Sequence, residues 1–102
     1  MAEKSARGVE IKILKESDRV LEFELPTEGH TFCNLLVYYL NEDPEVEYAA
    51  YRIDHPLLGI PRVIVRTREG KSPFEALLDA VDRIEKDLRE LREKFSRALV
   101  SS

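Results

Sequence analysis

The chain has no tryptophan, no glutamine, a single methionine and a single cysteine. A lone Cys33 cannot close an internal disulfide, so the fold does not depend on an oxidising compartment and suits a reducing cytosol. Glycine is too sparse for a phosphate-cradling loop, and Gly70-Lys71-Ser72 lacks the earlier glycine that a P-loop needs. No apolar run approaches the roughly 20 residues that span a bilayer, and Met1-Ala2-Glu3-Lys4 has no apolar signal core behind it. A cytoplasmic protein without membrane contact is expected. The formal net charge of -4 disfavours a surface that grips nucleic acid throughout, because phosphate neutralisation needs clustered Lys and Arg.

What is present is ordinary in amount and informative in order. With 102 residues, 43% of them hydrophobic and 35% charged, there is room for one compact domain that buries roughly two-thirds of its unfolded surface. Apolar and polar residues alternate in Val9-Glu10-Ile11-Lys12-Ile13 and in Leu21-Glu22-Phe23-Glu24-Leu25, the period of strands with one buried face. A polar turn over 16–19 joins them. Phe32, Leu35, Leu36, Tyr39 and Leu40 follow at the spacing of one helical face, and Pro44 ends that helix by disfavouring a helical conformation at Asp43. Residues 46–53 and 62–67 read as two further strands, joined by a loop with two prolines and a glycine. Its Leu57, Leu58 and Ile60 are apolar enough either to tuck under the domain or to face a partner.

The last element is the best marked. Ser72-Pro73-Phe74-Glu75 combines an N-cap serine, a first-turn proline and a glutamate three residues past the cap. Two interleaved series then run seven residues apart, Phe74, Val81, Leu88, Phe95 and Leu77, Ile84, Leu91, Ala98, and every member is apolar. The expected architecture is α+β: an antiparallel four-stranded sheet with two helices on one face, in the order strand, strand, helix, strand, strand, long helix. Residues 9–98 form the domain, 1–8 a flexible N-terminal segment and 99–102 a C-terminal tail. A helix over 72–98 extends about 40 Å against roughly 20 Å for a six-residue strand. The far half of the stripe, Leu88, Leu91 and Phe95, is therefore expected to overhang the sheet and meet another protein.

Candidates for chemistry are few. Cys33 with His30 or His55 and Asp54 would make a thiolate arrangement, or His30, Cys33 and His55 a metal site, but a zinc site of protein ligands alone wants four, and no CxxC or HxxxH spacing exists. A helix cysteine is usually a small buried hydrophobe. His30 suits a helix cap or loop packing, and Asp54-His55-Pro56 a strand end. Arg52, Arg62, Arg66, Arg68 and Lys71 lend a sheet face a basic character, yet no aromatic residues interleave with them as a single-strand platform requires. No catalytic residue, cofactor or metal is expected.

Two runs carry more than these patterns do: Gly29-His30-Thr31-Phe32-Cys33-Asn34-Leu35-Leu36, and Tyr51-Arg52-Ile53-Asp54-His55-Pro56-Leu57. With the Gly70-Lys71-Ser72-Pro73 entry to the long helix, they fall in an order that resembles the small alpha-like subunits of archaeal and eukaryotic RNA polymerases, the subunit L family in archaea. The motif residues are His30, Thr31, Asn34, Leu35, Asp54, His55 and Pro56. Gly29 departs from the acidic residue common before the histidine, and Cys33 from the usual glycine or alanine. The resemblance implies a domain like the dimerisation part of bacterial alpha, non-catalytic in itself. It would pair with a larger alpha-like subunit, D in archaea, as a platform for the two large catalytic subunits. Two other classes remain open: a homodimeric pterin carbinolamine dehydratase, which needs more clustered histidines than two, and a free-standing homodimeric regulatory module.

Overall fold

The computed structural model describes residues 2–6, 9–26, 29–54 and 57–101. Five strands and two helices alternate along the chain: β1 (Ala2–Ala6), β2 (Val9–Glu16), β3 (Val20–Glu24), α1 (His30–Glu42), β4 (Val46–Ile53), β5 (Pro61–Thr67) and α2 (Pro73–Ser101). They form one antiparallel sheet in the order β1-β2-β3-β5-β4. The chain leaves β3, crosses one face as α1, descends as β4 at the far edge and returns as β5 between them. This is a split β-α-β arrangement.

The four strands and two helices expected from periodicity are all present, and two boundaries are corrected. Residues 2–6 are not a loose lead-in: Ala2 to Ala6 pair with Ile13 to Val9 as a fifth, edge strand. No apolar alternation announces this strand, because the edge of β2 recruits it through backbone hydrogen bonds, which any non-proline residue supplies. The tail expected after residue 98 is helix as far as Ser101.

Alternation decides the faces. Ile11, Ile13, Leu21, Phe23, Val63 and Val65 point to the helix side and are buried, while Lys12, Glu22, Arg62, Ile64 and Arg66 point to the open side. A register shift between Val46 and Tyr48 in β4 turns Ala49 and Tyr51 inward and Tyr48, Ala50 and Arg52 outward. Cys33, Leu36 and Leu40 of α1 and Ala76, Leu77, Ala80, Val81 and Ile84 of α2 complete the core.

Side chains tie the layers at defined points. The Asn41 amide donates to the Ala49 carbonyl at 3.0 Å and accepts from the Ala49 N–H at 2.9 Å, so it satisfies part of the outer edge of β4. Ser72 Oγ accepts the Glu75 N–H at 3.1 Å, the N-cap foreseen from sequence. Ahead of it Gly70 takes φ +101°, which a residue with a side chain adopts only under strain. The buried Thr67 hydroxyl donates to the Lys71 carbonyl at 2.6 Å.

Lys71 Nζ reaches Asp43 Oδ2 at 2.8 Å and Asp79 Oδ2 at 2.7 Å, locking the end of α1 to the start of α2. Burial alone lifts the Asp43 carboxyl, but hydrogen bonds from Lys71 and the Glu45 amide, with the Lys71 and Arg83 charges, outweigh it and hold the group below its usual value. The hydrogen bonds to Asp43 and Asp79 raise Lys71. The depressed carboxyl stabilises the fold above its unfolded pKa, near 3.8, and that contribution is lost as the pH falls through the folded value. The raised amine stabilises below 10.5 and loses its effect as the pH climbs through its higher folded value. Asp43→Asn is expected to cost about 2 kcal/mol at neutral pH and to flatten the acid limb of the stability profile, read by urea denaturation from neutral to acid pH.

Candidate partner interface

A helix of 29 residues rises about 43 Å, and the body of the domain covers it only as far as Ile84. From Glu85 to Val100 every residue of α2 is exposed. Leu88 is 54%, Leu91 61% and Phe95 64% exposed, although they continue the line of Leu77, Val81 and Ile84 without a break. Leu99 extends it by another turn and is equally exposed. The radius of gyration, 15.2 Å, exceeds the roughly 13 Å of a compact chain of this length because of this projection.

The projection is held firmly at its root. Tyr39 of α1 donates its hydroxyl to Asp87 Oδ2 at 2.5 Å, and this hydrogen bond raises the phenol above its ordinary value. Arg83 lies over the Tyr39 ring, 5.3 Å from its centroid, and its Nη1 donates to the Tyr39 carbonyl at 3.4 Å. Nothing in the sequence signals these contacts, since residues 39 and 87 lie 48 positions apart. The outer surface of the projection carries Glu85 with Arg89, paired at 2.9 Å one turn apart.

The motif residues scatter around the opposite end of α1. His30 opens the helix after Gly29, which offers no side-chain cap, and its Nδ1 lies 3.1 Å from the Tyr51 hydroxyl. Thr31 and Asn34 are exposed on the same helix, whereas Leu35 packs against the core. Asp54 meets Arg52 Nε at 2.7 Å and Arg62 Nη1 at 3.1 Å. His55 and Pro56 lie outside the described residues. Leu57 and Leu58 stand in solvent, so of the two roles open to them, tucking under the domain is the one they do not take.

Among the described residues the candidates for chemistry do not converge. Cys33 is fully buried among apolar side chains and His30 faces Tyr51. Among the described residues no group of three or more His, Cys, Asp or Glu side chains converges as metal ligands do. Nor is the arginine surface a free basic face: Arg62 bonds Glu22 and Asp54, Arg66 lies 3.5 Å from Glu47, and Lys71 is withdrawn between two aspartates. Among the described residues no helix is long and apolar enough to cross a membrane.

Comparison with known proteins identifies the family. The sequence profile of the RNA polymerase Rpb3/Rpb11 dimerisation domain matches residues 20–94. The chain belongs to this family. DNA-directed RNA polymerase subunit Rpo11 of Pyrococcus furiosus is 39% identical over 95 residues, which cover 91% of this chain and all of that one. The Rpo11 subunit of Archaeoglobus fulgidus is 40% identical over 76 residues, 74% of this chain and 87% of its own. Among solved structures, DNA-directed RNA polymerase subunit L from Thermoplasma acidophilum aligns with a TM-score of 0.76 at 26% identity, covering 86% of each chain. The resemblance drawn from the two motif runs and the fold of an Rpb3/Rpb11 dimerisation domain both hold.

If the stripe beyond Ile84 lies outside the domain's own core, Leu91→Asp shifts the melting temperature of the dilute chain by no more than about 3 °C, the range of surface substitutions. Leu77→Asp, with an unpaired charge beneath the same helix, abolishes the cooperative transition. Circular dichroism melts of the two variants decide it, and equal loss in both would make the distal stripe intramolecular core.

Proposed function

We propose that this chain is the small, non-catalytic assembly subunit of a DNA-dependent RNA polymerase. It forms a heterodimer with the larger alpha-like subunit, D in archaea, and the pair is the platform on which the large catalytic subunits assemble. The observation that carries the reading is the continuous apolar stripe of α2, covered by the sheet as far as Ile84 and bare from Leu88 onwards, in a chain whose family is defined by dimerisation. Leu88, Leu91 and Phe95 are the anchors in this reading, since apolar side chains that lose all their water on association dominate interface energetics.

Leu57 and Leu58 form a second, smaller contact in the same proposal. They lie at the end of the β4–β5 hairpin and give an assembling subunit a site separate from the helix. The chain itself performs no step of RNA synthesis here. Its part is to hold two surfaces in fixed relation, which the Tyr39–Asp87 and Lys71–Asp43 links between the helices serve.

Affinity purification of the chain from native extract is expected to bring down a larger alpha-like subunit in equal amount, together with the two large polymerase subunits. Phe95→Asp and Leu91→Asp each weaken that capture about 100-fold or more, because a charge enters a dehydrated contact. Recovery of the chain by itself would refute the assembly role, and full capture by both variants would place the interface elsewhere.

A further inference from the structure

The stripe on α2 is flanked by charges whose order is self-complementary. With Leu88 and Phe95 in one heptad series and Leu91 in the other, the flanking positions are Glu85 and Arg92 on one side and Asp87 and Lys94 on the other. When two copies of such a helix run antiparallel, each residue of one series stacks on the other series of the second copy, and each flank meets its own counterpart. Stacking Leu88 on the second copy's Leu91 brings Phe95 level with the second copy's Ile84, the last buried residue of α2, where Tyr39 lies against Arg83 and Asp87. In that one register Glu85 faces the second copy's Arg92, and Asp87 faces its Lys94. Two-fold symmetry repeats both, so all four flanking contacts join opposite charges.

Other registers do not share this property. Side by side and parallel, Asp87 still meets an arginine, but Lys94 meets Leu99 and Glu85 meets Ala80. The longer charge pattern favours the antiparallel sense too. Residues 79–87 hold four carboxylates and two cations, whereas residues 88–97 hold four cations and two carboxylates. Antiparallel overlap lays the acidic half of each helix along the basic half of the other. All four flanking side chains are exposed, and the bonds that Glu85 makes to Arg89 and Asp87 accepts from Tyr39 leave each carboxylate further acceptor positions.

We propose that, without a larger partner, the chain forms a symmetric homodimer through antiparallel pairing of the distal halves of α2, with a second copy of this chain as the occupant. Leu88, Leu91 and Phe95 supply the seam, and the Glu85–Arg92 and Asp87–Lys94 pairs select the register. The homodimer stands whether or not the partner is a polymerase subunit. If both readings hold, they use the same stripe, so self-pairing and heterodimer formation exclude one another. The unassembled subunit then shields its own apolar surface until the partner displaces the second copy.

Sedimentation equilibrium of the purified full chain over a range of concentrations tests this with no other protein present. The original chain is expected to be a dimer, and Glu85→Lys/Asp87→Lys and Arg92→Glu/Lys94→Glu each to dimerise at least about tenfold more weakly, because every flanking contact becomes like-charged. An equimolar mixture of the two variants restores the dimer, since all four contacts are then opposite again. Circular dichroism of each variant verifies that the monomer is folded. The mixture guards against a folding defect, because an unfolded variant is not rescued by its complement. A monomeric original chain, variants that dimerise as well as the original, or a mixture that stays monomeric each overturns the proposal. Capture of the larger subunit is scored separately, so its failure leaves this result standing and the reverse.

Discussion

A seven-residue strand covers about 23 Å and a 29-residue helix about 43 Å, and the difference in length governs this molecule. The apolar stripe of α2 does not stop where the sheet stops. Its first part, from Ala76 to Ile84, closes the core, and the remainder carries the same periodicity into solvent. One element thus belongs to the core at one end and stands bare at the other.

That division works because the root of the helix is fixed. The Lys71 amine lies between Asp43 and Asp79, Thr67 bonds the chain just ahead of the cap, and Tyr39 grips α2 at Asp87. The first two hold the start of α2, and the third lies just past the last buried turn. They set the direction in which Leu88, Leu91 and Phe95 are presented, and a fixed direction reduces the ordering cost of pairing. Beyond what each contributes to stability, these polar links limit the geometry open to the helix.

The open face of the sheet is organised differently. Its charges are largely neutralised among themselves, Glu22 with Arg62, Arg62 with Asp54 and Arg19 with Glu47, in cross-strand and neighbouring pairs. A surface that satisfies its own charges attracts nucleic acid weakly whatever its arginine count. On the projecting helix and the Leu57–Leu58 loop, by contrast, apolar atoms rather than charges are left bare.

Strand alternation, the two helical faces, the Ser72 cap and the length of the terminal stripe were legible in the sequence because each is a local pattern set by backbone geometry. The motif runs around His30 and Asp54 were legible too, through resemblance and not through any chemistry of their own. The strand Ala2–Ala6 was not, since its pairing uses backbone groups that every residue offers. Neither were the Asn41 bonds to Ala49, the Tyr39–Asp87 link or the withdrawal of Lys71 from the surface. Periodicity reports which residues share a face of one element, and so the sequence by itself determined that α2 carries a single unbroken apolar stripe. Only the tertiary structure decided that the stripe leaves its core at Ile84, because burial depends on how far the opposing sheet extends in space.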